Sequence, residues 1–147
     1  MKCTDIIAKK IESIADFAFT GQGGSVVHLL DSLKKVSKVK IIPSQNEQGA
    51  SMAADAYTRA TEKIGVVIAT SGPGILNTLQ GMACSYYDSI PSLYISGAPV
   101  TSALKKNKKI RQVGFQEMDI PDIVKSFCKY VVRIMDPKDI IYEIDKA

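Results

Sequence analysis

Apolar residues recur along this chain in two alternating rhythms. Ile6, Ile7, Ile11, Ile14 and Ala15 fall at helical spacing behind Thr4, a residue type able to cap a first helix. Phe17 to Thr20 is short and strand-like, and Gly21 to Gly24 follows as a turn, because glycine accepts backbone angles that other residues resist. Ser25 to Val36 returns to helical spacing, with Val26, Leu29, Leu30 and Leu33 on one side. Val39 to Ile42 reads as a second strand stopped by Pro43. Ser44 or Asn46 can cap an alanine-rich helix that runs to about Thr61.

Ile64 to Thr70 is apolar on both faces, which suits a parallel strand covered on both sides. The turn Ser71 to Gly74 breaks it, and a helix is expected from Ile75 to about Tyr87. Strand Ser92 to Ser96 follows, then a long loop from Gly97 to Gly114. A short helix near Ile120–Lys125, a strand near Lys129–Ile134 and a helix from Pro137 onward close the chain, the last capped by Asp136. Strands and helices that alternate in this way imply a single-domain α/β fold, with a mainly parallel sheet flanked by helices on both faces. The last helical pattern stops after about ten residues at Ala147, so the chain is expected to continue in a larger protein.

Composition narrows the classes. The 147 residues suit one domain with a core of its own. Hydrophobic residues make up 46% and charged residues 23%, which argues against disorder. No apolar run has membrane-span length, and charges interrupt any signal-peptide core at the N-terminus. Cys3, Cys84 and Cys128 lie too far apart for zinc spacing and are odd in number for a disulfide framework. Together these suggest a reduced, cytoplasmic protein, with no nucleic-acid or membrane partner. The net charge of +4 is local: Lys105, Lys106, Lys108, Lys109 and Arg111 share one stretch without an acid, and outside it 14 basic residues face 15 acidic ones. That stretch reads as a solvated surface loop, with an anionic substrate as the alternative.

The candidate chemistry is sparse. Gly21 to Gly24 lies between strand and helix, where backbone N–H groups can hold an anion, but Val26 stands where a dinucleotide fingerprint needs its third glycine. His28 is the only histidine, so Ser-His-Asp and Cys-His mechanisms are poor fits. Glu47 falls where a strand gives way to a helix, at the sheet edge where open α/β folds bind ligands. A favourable interaction with the helix N-terminus is the plainer reading of the same position.

Four blocks occur in order: Asn46 to Ala60, Val66 to Asn77, Asp88 to Pro91, and Phe115 to Asp119. Together they resemble the N-terminal pyrimidine-binding domain of acetolactate synthase-like, thiamine diphosphate-dependent enzymes. The resemblance extends from about Thr20 to Arg133. It implies that Glu47 is the catalytic glutamate, hydrogen-bonded to N1′ of the cofactor's aminopyrimidine so that the imine tautomer can take the C2 proton of the thiazolium. It implies that Gly23, Gly24, Pro73 and Asn77 also bind the cofactor, and that Phe115 and Gln116 face the substrate. A turn-shaping Pro73 and a core Phe115 are the structural alternatives. Departures from the family pattern are Asn46 in place of histidine, Gly21-Gln22 in place of Tyr-Pro, and a longer loop before Phe115.

Such enzymes hold the diphosphate and Mg²⁺ through a Gly-Asp-Gly motif on a second domain. This chain has none, so it is expected to contain no metal site and to be inactive alone. The resemblance therefore implies a partner diphosphate-binding domain in the same or another chain, a 2-keto acid substrate, and a homodimer or homotetramer, with Tyr86-Tyr87 suited to packing on a like domain. The acyl donor, the acceptor and any FAD requirement stay open. A subunit of a split enzyme, a non-catalytic binding module and a dinucleotide-binding domain are the competing readings.

Overall fold

A computed structural model of the protein describes residues 2–105, 107 and 109–147. Four parallel strands form one sheet in the order β2-β1-β3-β4: β1 Phe17–Thr20, β2 Lys40–Pro43, β3 Gly65–Ala69 and β4 Ser92–Ser96. The helices are α1 Cys3–Ile14, α2 Val27–Val36, α3 Glu47–Thr61, α4 Pro73–Leu76, α5 Leu79–Tyr87, α6 Ile120–Val124 and α7 Ile140–Lys146. The expected α/β architecture is thus present.

Strand periodicity explains how the helices distribute. Side chains alternate across the pleat, so Ala18, Val66 and Ile68 face one way and Phe19 and Val67 the other. The first set packs with Ala8 and Ile11 of α1 and Leu29 and Leu33 of α2. The second packs on Ala50 and Ala54 of α3. Ala69 joins Ile75, Met82 and Val124 in a third cluster. Every residue of β3 is buried, as its continuous apolar run requires.

Several boundaries differ from those the sequence suggests. Thr4 does not cap α1: its hydroxyl meets Ser32, while the Asp5 carboxylate accepts from the Lys2 N–H at 2.9 Å. Pro43 ends β2 from within, which is possible because β2 is an edge strand with little demand for another N–H. The helix expected over 75–87 is two helices, parted at Asn77-Thr78, and its first turn begins earlier, at Pro73. Thr78 is fully buried and donates its hydroxyl to the Ile75 carbonyl, a local bond that competes with helix continuation. Residues 129–134 are not a strand. Val131 packs on the third cluster, Arg133 donates to the Met118 carbonyl, and no ladder forms with β4.

One hydroxyl ties α3 to the start of β3 and to the residue before β4. Thr58 is 4% exposed, accepts the Gly65 N–H at 2.8 Å, and lies 3.1 Å from both the Ala54 and Pro91 carbonyls. Thr58→Val keeps the shape but leaves the Gly65 N–H buried without this acceptor. It is expected to lower stability by about 1–3 kcal/mol, read as a lower urea midpoint with an unchanged denaturant slope. An unshifted midpoint would mean that Thr58 contributes no net hydrogen bond.

Candidate functional site

The strand order reverses between β1 and β3, since the chain leaves β1 for β2 on one side and β3 for β4 on the other. Open α/β sheets form their ligand crevice at the C-terminal edge of such a switch point. Here that edge comprises Gly21 after β1, Thr70 after β3 and the start of α3. The Gly21 N–H still bonds to the Ile68 carbonyl at 3.0 Å, so the two strands are held together up to the crevice.

Asn46 delivers Glu47 to this place. Its backbone is extended, and its side chain accepts the Gly49 N–H at 2.8 Å, which starts the helix at Glu47. The Glu47 side chain then lies back over Gly21. A Cβ on Gly21 would stand 2.2 Å from Glu47 Cγ and 2.7 Å from Oε1. Asn77 donates from Nδ2 to Glu47 Oε2 at 3.0 Å. Oε1 has no protein donor among the described residues. The break between α4 and α5 falls at Asn77, which places the amide that holds the carboxylate.

Around Glu47 is an open cleft of about 630 Å³, lined by Thr70, Pro73, Gly74, Leu76, Asn77 and Gln116. A second cleft of about 400 Å³ adjoins it, sharing Thr70 and Gln116. Its other walls include Gly24, Ser25, Pro99, Val100 and Phe115. The Ser25 and Thr70 hydroxyls meet at 2.8 Å, and the Ser71 N–H donates to Ser25 at 2.9 Å, which braces the wall between the clefts.

The structure therefore brings Glu47, Pro73, Asn77 and Gln116 into one cleft and Gly24, Phe115 and Gln116 into the next. Gly23 lines neither. Its bare Cα packs against Thr70, where a Cβ would stand 2.3 Å from the Thr70 Cβ. Phe115 is 82% exposed, so it is not a core residue. His28 is exposed on α2. Of the basic stretch, Lys109 and Arg111 are exposed, while Lys106 and Lys108 lie outside the described residues. Among the described residues, no group of three or more His, Cys, Asp or Glu side chains could hold a metal ion. No helix among them is long and apolar enough to cross a membrane.

Reasoning from the sequence read Gly21 only as part of a turn and missed Thr70, Gly74 and Leu76. The last three lie within the second motif block, but only tertiary contact reveals their places. It also missed Glu117, which is 4% exposed and accepts the N–H groups of Lys105 and Val113, each at 2.8 Å. The bonds from Val113 and Lys105 hold its carboxyl below the usual glutamate range.

Comparison with known proteins gives one consistent answer. The family model described as the thiamine pyrophosphate enzyme, N-terminal TPP binding domain, matches residues 1–123. An acetolactate synthase large subunit of Buchnera aphidicola from Schizaphis graminum is 37% identical over 142 residues, covering 97% of this chain and 24% of that protein. The large subunit of Porphyra purpurea is 39% identical over 120 residues, covering 80% of this chain and 19% of that protein. The acetolactate synthase isozyme 3 large subunit of Escherichia coli K12 is 32% identical, with 97% and 24% covered. The chain thus spans about a fifth to a quarter of the length of these relatives.

Proposed function

We propose, for a chain that belongs to the thiamine pyrophosphate enzyme N-terminal TPP-binding family, that its first cleft takes the aminopyrimidine end of thiamine diphosphate within an acetolactate synthase-type enzyme acting on a 2-keto acid. The observation that carries this reading is the Glu47 carboxylate. One oxygen is held by Asn77, while the other has no protein donor among the described residues and lies over the bare Cα of Gly21.

The residues present fit that group. Oε1 of Glu47 would accept the hydrogen bond of a protonated ring nitrogen and exchange a proton with it. Asn77 would fix the carboxylate's rotamer, and the missing Cβ at Gly21 leaves it room. Pro73 and Leu76 would offer apolar wall to a flat ring, with Thr70 and Gln116 at the sides. When bound, thiamine diphosphate supplies the carbanion chemistry, and the protein supplies orientation and electrostatics. Gln116 and Phe115, on the second cleft, would meet the substrate. The diphosphate and Mg²⁺ would be held by a second domain, in the same or another chain of a homodimer or homotetramer.

Calorimetric titration of the complete protein with thiamine diphosphate plus Mg²⁺, and separately with NAD, tests this. Saturable binding of the first, none of the second, and pyruvate consumption that requires thiamine diphosphate are expected. The 147-residue chain alone is expected to consume no pyruvate. Binding of NAD in place of thiamine diphosphate, or turnover by the isolated chain, would overturn the proposal.

A further inference from the structure

Gln116 borders both clefts, yet its backbone is unfavourable. Its φ of 55° is in the left-handed region, which a residue with a Cβ occupies only where its surroundings hold it there. Two contacts surround it. On one side its carbonyl packs on Gly72, where a Cβ would stand 2.4 Å away. On the other is Glu117, whose two carboxylate oxygens are used separately. Oε1 accepts the Lys105 N–H and Oε2 the Val113 N–H, both at 2.8 Å. The Glu117 N–H in turn bonds to the Gly114 carbonyl at 3.1 Å.

We infer that Glu117 is a positioning residue, which joins both ends of the 105–113 segment through its carboxylate and thereby fixes Phe115 and Gln116 at the mouths of the two clefts. Burial makes this anchoring strong. At 4% exposure, water does not compete effectively for a carboxylate with two backbone donors, and such charge-assisted bonds are short and directional. Phe115, only two residues before the clamp, is 82% exposed. Little packing holds its side chain, so the backbone on either side must set its direction. Fixing the clamp itself needs no ligand. Its consequence for substrate rests on the function proposed above.

Glu117→Gln separates the two levels. An amide oxygen can accept one of the two N–H groups, but its NH₂ faces the other as donor against donor. In the complete protein, hydrogen exchange at the Lys105 or Val113 amide is expected to quicken by about tenfold or more, with the strands unchanged. The KM for pyruvate is expected to rise by about tenfold, with kcat changed far less. Glu117→Asp keeps both acceptors and the charge, and is expected to recover part of each effect. Unchanged exchange at both amides, or faster exchange across the whole domain, would overturn the clamp. Open amides with an unchanged KM would overturn its role in positioning. Should the wild-type protein use no 2-keto acid, the proposed function fails and exchange alone judges the clamp. Should Glu117→Gln not fold, Glu117→Asp and the protection of both amides in the wild type decide.

Discussion

Replacing Glu47 by glutamine in the complete protein is expected to slow exchange of the thiamine diphosphate C2 proton by about 10²–10⁴-fold, the usual contribution of a positioned acid–base group. The reason lies in what the substitution keeps. Glutamine has the same shape over Gly21, and its amide oxygen can still accept from Asn77 Nδ2, so the wall of the cleft should stay in place. What it loses is a carboxylate able to exchange a proton. Glu47 is also the first residue of α3, where a negative charge favours the helix N-terminus. That loss predicts a small fall in stability, about 0.3–1 kcal/mol. The two roles therefore separate cleanly. Slower exchange, followed by NMR with nearly unchanged unfolding, marks a catalytic carboxylate. A stability change with normal exchange would leave Glu47 only its charge at the helix end.

The sequence rhythm carries the main frame. β1, β3 and β4 are short runs set off by turn residues, and β3 is apolar enough to announce burial on both faces. α3 is equally plain, because Asn46 caps it and alanines fill the side turned to the sheet. The failures concern properties that no local pattern holds. Residues 129–134 are richer in β-branched and aromatic side chains than β4, but a strand exists only where a partner offers its edge. Tyr130 bonds to Glu143 and Arg133 to Met118 instead, so this segment is fixed by side chains. The break at Asn77 is similarly invisible, since apolar spacing continues across it.

Within the cleft, the residues proposed to meet the cofactor are legible in the sequence and those that make room for them are not. Glu47, Pro73, Asn77 and Gln116 stand in recognisable blocks, and the fold gathers them. Gly21 matters because a side chain 26 positions later lies across it, a relation only the folded chain creates. Glu117 belongs to the block Phe115 to Asp119, yet its meaning depends on the amides of Lys105 and Val113 meeting at one carboxylate.

Gly72→Ala is expected to be the most damaging small substitution near the clefts. Gly72 has φ 64° and ψ −120°, a combination open to glycine and strongly disfavoured with a Cβ. Forcing alanine there costs about 1–3 kcal/mol of backbone strain. The new methyl would also stand 2.4 Å from the Gln116 carbonyl oxygen and 2.9 Å from its Cβ. That oxygen is backbone, not the end of a flexible side chain, so either the 71–74 turn or the 115–117 turn must move. Such overpacking adds roughly 1–3 kcal/mol. Together the losses are large against a total stability of about 5–15 kcal/mol. Thermal unfolding should report a fall of roughly 2–4 °C for each kcal/mol. Gly24→Ala is the control, because a Cβ there meets nothing within 4 Å. It should unfold within about 0.5 kcal/mol of the wild type. Both turns border the cleft that contains Pro73 and Gln116, so Gly72→Ala should also weaken thiamine diphosphate binding by the complete protein. Equal unfolding midpoints for Gly72→Ala and Gly24→Ala would show that neither the left-handed turn nor its contact with Gln116 is required.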